Sequence, residues 1–396
     1  MFPTDVVIVA GARTPMARYT GVFSEVSAID LGAHAAKSVV QRSGVNPAEF
    51  DHVVFGNVLQ TSSDAIYGAR HVGLKAGLKL ETPAVTVNRL CGSGIEAIAQ
   101  AAQRLLLGEA NMVLAGGMEN MTQAPFVIRG ARSGLKLGSG TLEDFLFVGL
   151  TDSYCGLPMA VTAEKLAAQT GITRADADAY ALRSQQAADA AAKASVFKEE
   201  IVPVEVKQGR KSIVVTEDDH RRPETTMETL SKLPPSFQKD GIVTAGNASG
   251  IVDGAAAVVV TREKTAKERG LKPLGKIISW AAVGVDPSIM GIGPVPSTRK
   301  ALQLAGLTLE QIDRVEVNEA FAAQYLAVEK ELGLSRDKTN VNGGAIALGH
   351  PLAASGTRLV ITLLHELRRT GLTYGLATAC IGGGQGIAMI VEALGN

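Results

Sequence analysis

Four polar side chains close apolar runs, three of them beside glycines, where packing has little use for them. Cys380 stands in Ala379-Cys380-Ile381-Gly382-Gly383-Gly384-Gln385-Gly386, just after Tyr374–Thr378, a run that reads as a buried strand. Three glycines remove the nearby β-carbons and let another group approach the backbone closely. Cys91 stands in Asn88-Arg89-Leu90-Cys91-Gly92-Ser93-Gly94-Ile95-Glu96. Ser93 and Glu96 have the spacing of a capping box, which predicts a helix start there. A helix N-terminus favours a thiolate, the nucleophilic form of cysteine. His350 lies in "GGAIALGHP" and Asn318 in "VNEAFA". A thiol beside a histidine is a nucleophile that works near neutral pH, and a second thiol can carry a proton. Each residue taken alone has a plainer reading. Cys91 reads as a buried cysteine in a strand-to-helix turn, His350 as a turn residue before proline, and Asn318 as a helix cap.

The elements that must position them repeat. "RSGVNPAEFDHVVFGN" (42–57) resembles "LAGLTLEQIDRVEVNE" (304–319) at an offset of 262. The same offset brings Ser93-Gly94 onto Ser355-Gly356 and Val113-Leu114-Ala115 onto Gly375-Leu376-Ala377. Each copy alternates apolar strands with helix-period segments such as Ile95-Ile98-Ala102-Leu105, which predicts an α/β architecture with mixed or mostly parallel sheets. The second copy closes with the strand Gly386–Val391. Its counterpart is Gly254–Val260, so residues 121–250 are read as an insertion within the first copy. The expected organisation is 1–120 with 251–269, then the inserted 121–250, and a second half at 270–396. The insertion carries glycine-rich basic loops and an alanine-rich helix from about Asp176 to Lys193, the texture of a lid or assembly arm. The offset pairs Cys91 with Ala353, Cys380 with Met118, His350 with Asn88 and Asn318 with Gly56. Each reactive type occurs in one copy only, which points to specialisation and not to a scaffold requirement.

Composition excludes several classes. Lys+Arg and Asp+Glu are both 39, so no general nucleic-acid or anionic-membrane surface is indicated. Three cysteines in 396 residues argue against a disulfide framework and for a reducing compartment. No spacing resembles a metal site. No apolar run reaches the roughly 18 residues of a membrane span, and the start "MFPTDVVIVAGARTP" lacks the layout of a secretion signal. These features predict a soluble intracellular protein. No GxGxxG follows a strand, so a dinucleotide fold is not supported.

Taken together, "NRLCGSG", "VNEAFA", "GGAIALGHP" and "ACIGGGQG" resemble the thiolases, in this order and across essentially the whole length. The resemblance implies a five-layered α-β-α-β-α fold built from two βαβαβαββ halves with an inserted loop domain. It implies acyl transfer between coenzyme A thioesters: cleavage of 3-ketoacyl-CoA, or Claisen condensation of acetyl-CoA, through an acyl-cysteine. Cys91 would be the nucleophile and His350 the group that takes its proton. Cys380 would be the second acid/base, and Asn318 would hold a water of one oxyanion hole. The amides of Cys91 and Gly382 would form the other. Arg222 and Thr225 would contact the nucleotide end of the coenzyme and Ser249 its pantetheine. Met159, in Leu157-Pro158-Met159, stands where many biosynthetic relatives carry a His-Met pair near the thioester. Arg221-Arg222 reads equally as a solvated pair, and Ser249 as a turn serine. "QTSSDAIY", "DPSIMGIGPVP" and "QYLAVE" look most like the mitochondrial-type 3-ketoacyl-CoA thiolases. Ala353-Ala354 departs from the family, which usually has glycine first.

Coenzyme A is then a substrate, with no permanently bound cofactor. A homodimer or homotetramer is expected, with 121–143 as the assembly arm, and no nucleic-acid or membrane partner. The expected location is a bacterial cytoplasm, with the mitochondrial matrix as the alternative. Two other readings compete: a one-way ketoacyl synthase, disfavoured by Cys380, and a non-catalytic acyl-CoA or lipid carrier on the same scaffold.

Overall fold

A computed structural model describes residues 2–138 and 140–395. Nine strands form the path of one mixed sheet: β1 (Val6–Arg13), β2 (His52–Gly56), β3 (Ala84–Val87), β4 (Met112–Glu119), β5 (Val252–Arg262), β6 (Gly275–Gly284), β7 (Arg314–Val317), β8 (Tyr374–Ile381) and β9 (Gln385–Ala393). Their order is β7-β8-β9-β6-β1-β5-β4-β2-β3, with the short strand Ala17–Arg18 added on β5. Only β2–β3, β2–β4 and β7–β8 pair in parallel; the other neighbours are antiparallel. Strands such as β5, with its run Ala255-Ala256-Ala257-Val258-Val259-Val260, are buried on both faces and so read as continuous apolar stretches. The two halves of the sheet meet at β1 and β6 through two residue pairs, Val7–Lys276 and Ile8–Gly275.

The helices that matter here are α1 (Ala28–Ser43), α2 (Gly68–Lys75), α3 (Ser93–Leu106), α4 (Met159–Thr170), α5 (Arg174–Lys193), α6 (Pro294–Ala305), α7 (Ala322–Leu332), α8 (Ala345–Leu348) and α9 (Leu352–Thr370). Helices α1 and α2 cover one outer face, in a core with Val53, Leu114 and Val259. Helices α6 and α7 cover the other, with Val315, Leu376 and Ile390. Between the sheet halves lie α3 and α9, whose Ile98 and Ile361 share one core with Val113, Val258, Ala379 and Met389. The result is the expected α-β-α-β-α layering of two duplicated halves. Strands β2 and β7 start at His52 and Arg314, and β4 and β8 at Met112 and Tyr374; both pairs are 262 residues apart. The central helices cross closely at equivalent glycines. A β-carbon on Gly94 would come 2.4 Å from Thr357 N, and one on Gly356 2.5 Å from Ile95 N.

Two local expectations need correction. Ser93 and Glu96 form no capping box. A 3-10 turn, Leu90–Gly92, runs straight into α3, so Ser93 is already its first residue and Gly92 precedes it. The Ser93 hydroxyl accepts from Arg89 N at 2.8 Å and donates to Leu90 O at 2.7 Å, while Glu96 receives Arg89 Nε at 2.9 Å. Cys380 also lies inside β8, because pairing with β9 continues through Cys380–Gly386 and Ile381–Gln385. The glycines form the turn into β9, with Gly383 and Gly384 both at φ 77°. At Gly384 a β-carbon would come 2.3 Å from the Val285 carbonyl oxygen.

Between β4 and β5 the chain carries α4, α5 and a hairpin of Val204–Gln208 with Lys211–Val215. This segment is pinned to β1 by Arg13. The fully buried guanidinium donates to Glu200 Oε1 at 2.7 Å and to both oxygens of Asp218.

Candidate active site

Strand β7 runs parallel to β8, and Asn318 N donates to Thr378 O at 2.9 Å, so Asn318 and Cys380 stand at neighbouring strand ends. Cys91 comes from the facing half, in the turn before α3. Leu90, just before it, has φ 47°, a left-handed conformation uncommon for a branched side chain. Its amide is held by Asn88 Oδ1 at 2.9 Å. His350 follows α8, where Gly349 has φ 92° and a β-carbon would come 2.3 Å from Val252. The His350 amide donates to Gly250 O at 2.9 Å.

A cavity of about 340 Å³ opens over these elements, lined by Cys91, Met159, Ser249, Met290, Phe321 and His350 among others. The Gly382 amide lies close enough to the Cys91 thiol to favour its thiolate form. Met159, first residue of α4, sits against Gly382, whose missing β-carbon would lie 3.1 Å from Met159 Sδ. Met159 also packs with Cys380, Met290 and Ala320. Cys380 and Asn318 are fully buried just behind the cavity wall. Ser249 is held by its amide on Ala320 O at 3.0 Å.

The histidine is fixed from both sides. Nε2 lies 3.2 Å from Asn318 Nδ2, and Nδ1 lies 2.5 Å from Ser355 Oγ. Asn318 Oδ1 is buried and has no hydrogen-bond partner among the described residues. The neighbouring Glu319 steadies the Asn318 turn by accepting from Tyr180, Ser184, Asn340 and the amide of Ile346.

Burial controls the charges. It holds the His350 imidazole down to about 3, helped by the Arg358 cation, so the ring is neutral at rest. It pushes the Cys91 thiol up to about 11, against the hydrogen bonds from the Gly382 and Cys91 amides. A thiolate favoured by the helix start is therefore not the resting state; loss of water outweighs the amides. Cys380 is pushed up further by burial and then by Cys91. Arg358 forms a buried ion pair with Glu316 at 3.0 Å.

Arg222 and Thr225 are not part of the cavity wall. Arg222 is exposed, its amide donating to Gln185 Oε1 at 2.9 Å, and Thr225 Oγ1 donates to Arg222 O at 2.8 Å. The sequence reading missed Ser355, Arg358 and Glu119. Glu119 ends β4 fully buried and accepts from Asn57 Nδ2, from the amides of Val58 and Leu59, and from Ala353 N across the two halves. A cation inside the otherwise apolar face of α9 was the one available signal for Arg358. The Ala353 methyl points at Gly56, where a β-carbon would lie 3.3 Å from it; the departure at Ala353 thus fills the contact between halves.

Comparison with known proteins agrees with this architecture. Residues 6–264 match the thiolase N-terminal domain and residues 271–393 the thiolase C-terminal domain. The chain is 54% identical to human mitochondrial 3-ketoacyl-CoA thiolase over 388 residues, covering 98% of each chain. It is 50% identical to an acetyl-CoA acetyltransferase of Escherichia coli over 390 residues, covering 98% of this chain and 99% of that one. The crystal structure of the human mitochondrial enzyme in complex with CoA superposes with a TM-score of 0.96 at 54% identity, covering 98% of each chain. With both domains matched and identity above half along nearly its full length, the chain belongs to the thiolase family.

Proposed function

We propose that this thiolase transfers acyl groups between coenzyme A thioesters, cleaving 3-ketoacyl-CoA with CoA and, in reverse, condensing two acetyl-CoA. The observation that carries the reading is that Cys91 and His350 line one cavity, with Asn318 Nδ2 3.2 Å from His350 Nε2 and Cys380 buried against the lining residues Met159 and Met290. In cleavage, the Cys91 sulfur attacks the C3 carbonyl of the 3-ketoacyl thioester and His350 takes the thiol proton. The amides of Cys91 and Gly382 receive the oxygen that becomes anionic. The C2–C3 bond breaks and its electron pair stays on C2 of the departing acetyl-CoA. Cys380 supplies the proton to that carbon, while a water on Asn318 together with His350 Nε2 stabilises the enolate oxygen. Free CoA then gives its thiol proton to the Cys380 thiolate and takes the acyl group from Cys91, whose departing sulfur recovers the proton held by His350. A high thiol pKa suits Cys380 to donate a proton rather than compete as a nucleophile.

Ser249 and Met159 would hold the pantetheine arm, and the loop of Arg222 and Thr225 the nucleotide end. We assign 121–250 to coenzyme binding and assembly, inserted between 1–120 and 251–269, with 270–396 as the second half. A homodimer or homotetramer is supported by the exposed Phe126, Ile128, Leu135, Leu137 and Leu142 in the 121–143 arm. A bacterial cytoplasm or a mitochondrial matrix fits the relatives' names; among the described residues no helix is long and apolar enough to cross a membrane.

The test is thiolysis, with free CoA, of acetoacetyl-CoA against 3-ketooctanoyl-CoA. Comparable rates identify a broad degradative thiolase, and cleavage of acetoacetyl-CoA alone a dedicated acetyl-CoA acetyltransferase. Cleavage of neither substrate overturns the enzymatic reading and leaves the carrier.

A further inference from the structure

The loop carrying Arg222 and Thr225 lies away from the cavity wall, yet its fastenings lead to the segment that carries His350. Gln185, on α5, is buried at 5% exposure and uses both ends of its carboxamide. Oε1 accepts from Arg222 N at 2.9 Å, and Nε2 donates to Ile346 O at 3.3 Å. Ile346 lies in α8, four residues before His350. A second tie comes from His220, two residues before Arg222. Its Nδ1 lies 3.2 Å from Ala347 O, and its ring covers Gly250 so closely that a β-carbon there would come 2.1 Å from Nε2. The Gly250 carbonyl in turn accepts from His350 N at 2.9 Å. One amide side chain therefore joins the Arg222 loop to α8, two segments far apart in sequence, and α8 leads directly into His350. The Arg222 guanidinium is exposed and makes no ion pair among the described residues.

We propose that Gln185 is a positioning residue that fastens the Arg222–Thr225 loop to the α8–His350 segment, so that binding of a coenzyme's nucleotide end is used at the reacting centre. This rests on the reading that the Arg222–Thr225 loop meets the nucleotide. Contacts to a remote, non-reacting part of a substrate raise turnover only when the structure transmits them to the reacting groups. Gln185 is the hydrogen-bonded link that does so here. Without it, Arg222 N and Ile346 O lose a buried partner, and of this loop's side-chain hydrogen bonds to α8 among the described residues the one from His220 to Ala347 O remains.

The experiment compares two substrate pairs: acetoacetyl-CoA with CoA, and acetoacetyl-pantetheine with pantetheine, which lacks the nucleotide. Gln185→Met, close in volume, is expected to lower kcat/KM for the CoA pair about tenfold, the equivalent of one buried hydrogen bond, with part of the loss in kcat. The pantetheine pair should be unaffected. Equal losses on both pairs, or no loss on either, would overturn the proposal. Arg222→Ala tests the underlying reading separately. If it harms only the CoA pair while Gln185→Met is not selective, the nucleotide reading stands and the Gln185 proposal fails. If Gln185→Met is selective and Arg222→Ala is neutral, the loop meets the nucleotide through other atoms and the proposal stands. Should Gln185→Met fail to fold, Gln185→Glu keeps the acceptor for Arg222 N and gives up the donor to Ile346 O. The same selective loss is expected of it, and an equal loss on both pairs overturns the proposal.

Discussion

Ser355 Oγ lies 2.5 Å from His350 Nδ1 and donates its own proton to Pro351 O at 3.0 Å. A hydroxyl has one proton, so with it on the Pro351 carbonyl the ring nitrogen must supply the other. Nδ1 then carries hydrogen, and Nε2 keeps its lone pair towards Asn318 Nδ2 and the cavity. The serine thus sets which nitrogen is free to act as the base in the proposed reaction. Ser355→Ala leaves Nδ1 without its buried partner and frees the other tautomer. Turnover should fall about tenfold, with KM for CoA little changed, as for the loss of one buried hydrogen bond. Steady-state kinetics at saturating CoA would reveal it; an unchanged kcat would remove Ser355 from the arrangement.

Cys91 is held as a thiol by burial, up to about 11. Only the thiolate reacts with iodoacetamide, so alkylation of the free protein should accelerate about tenfold per pH unit between 7 and 10. Rates followed by mass spectrometry on Cys91 would check this, with Cys91→Ala as the unlabelled control. A plateau below pH 8 would mean that His350 or the amides activate the thiol in the empty site.

Cys380→Ser tests the second thiol. Simple transfer of an acetyl group from acetyl-CoA to Cys91 needs no proton at carbon, so the variant should still be acylated there. Thiolysis of acetoacetyl-CoA should drop by about 10²–10⁴, the usual worth of a positioned acid or base. Normal turnover would take Cys380 out of proton transfer.

The repeat was readable because both copies must bury the same strand faces, and burial constrains residue type at every second or every position. The order β7-β8-β9-β6-β1-β5-β4-β2-β3 was not, since pairing between β1 and β6 depends on two residue pairs that no local pattern marks. Cys91, His350, Cys380 and Asn318 stood out by type against apolar or glycine-rich surroundings. Ser355 did not, because as the counterpart of Ser93 it reads as part of the scaffold. Glu119 did not either. Its partners at 57–59 and 353 are distant in sequence, and a carboxylate ending a strand normally reads as solvated. The capping-box reading failed because the 3-10 turn Leu90–Gly92 feeds directly into α3, so the Ser93 hydroxyl bonds back to Arg89 N and Leu90 O and Glu96 pairs with the Arg89 side chain.

The depressed basicity of His350 also bears on stability. Burial and Arg358 hold its imidazole near 3, against 6.5 for the free side chain. Below pH 6.5 the unfolded chain binds a proton that the folded one refuses. Each unit of falling pH therefore costs the native state about 1.4 kcal/mol until pH 3 is approached. Glu119 works in the opposite sense. Burial raises its carboxyl to about 7, so its contribution is present below 4.5 and is lost as pH rises through 7. Asp253, also raised by burial, acts in the same direction as Glu119. Between 6.5 and 4.5 these effects oppose one another, and the native protein's own pH profile conceals both. The difference between proteins does not. His350→Asn removes the imidazole and leaves Glu119 and Asp253 in place. Moving from pH 7.5 to 5.0 should shift the stability gap by about 2 kcal/mol in favour of the variant. Urea unfolding of both proteins at the two pH values measures that shift. A gap independent of pH would mean that His350 titrates alike in the folded and unfolded chains, and that its ring is not the neutral base the proposed reaction needs.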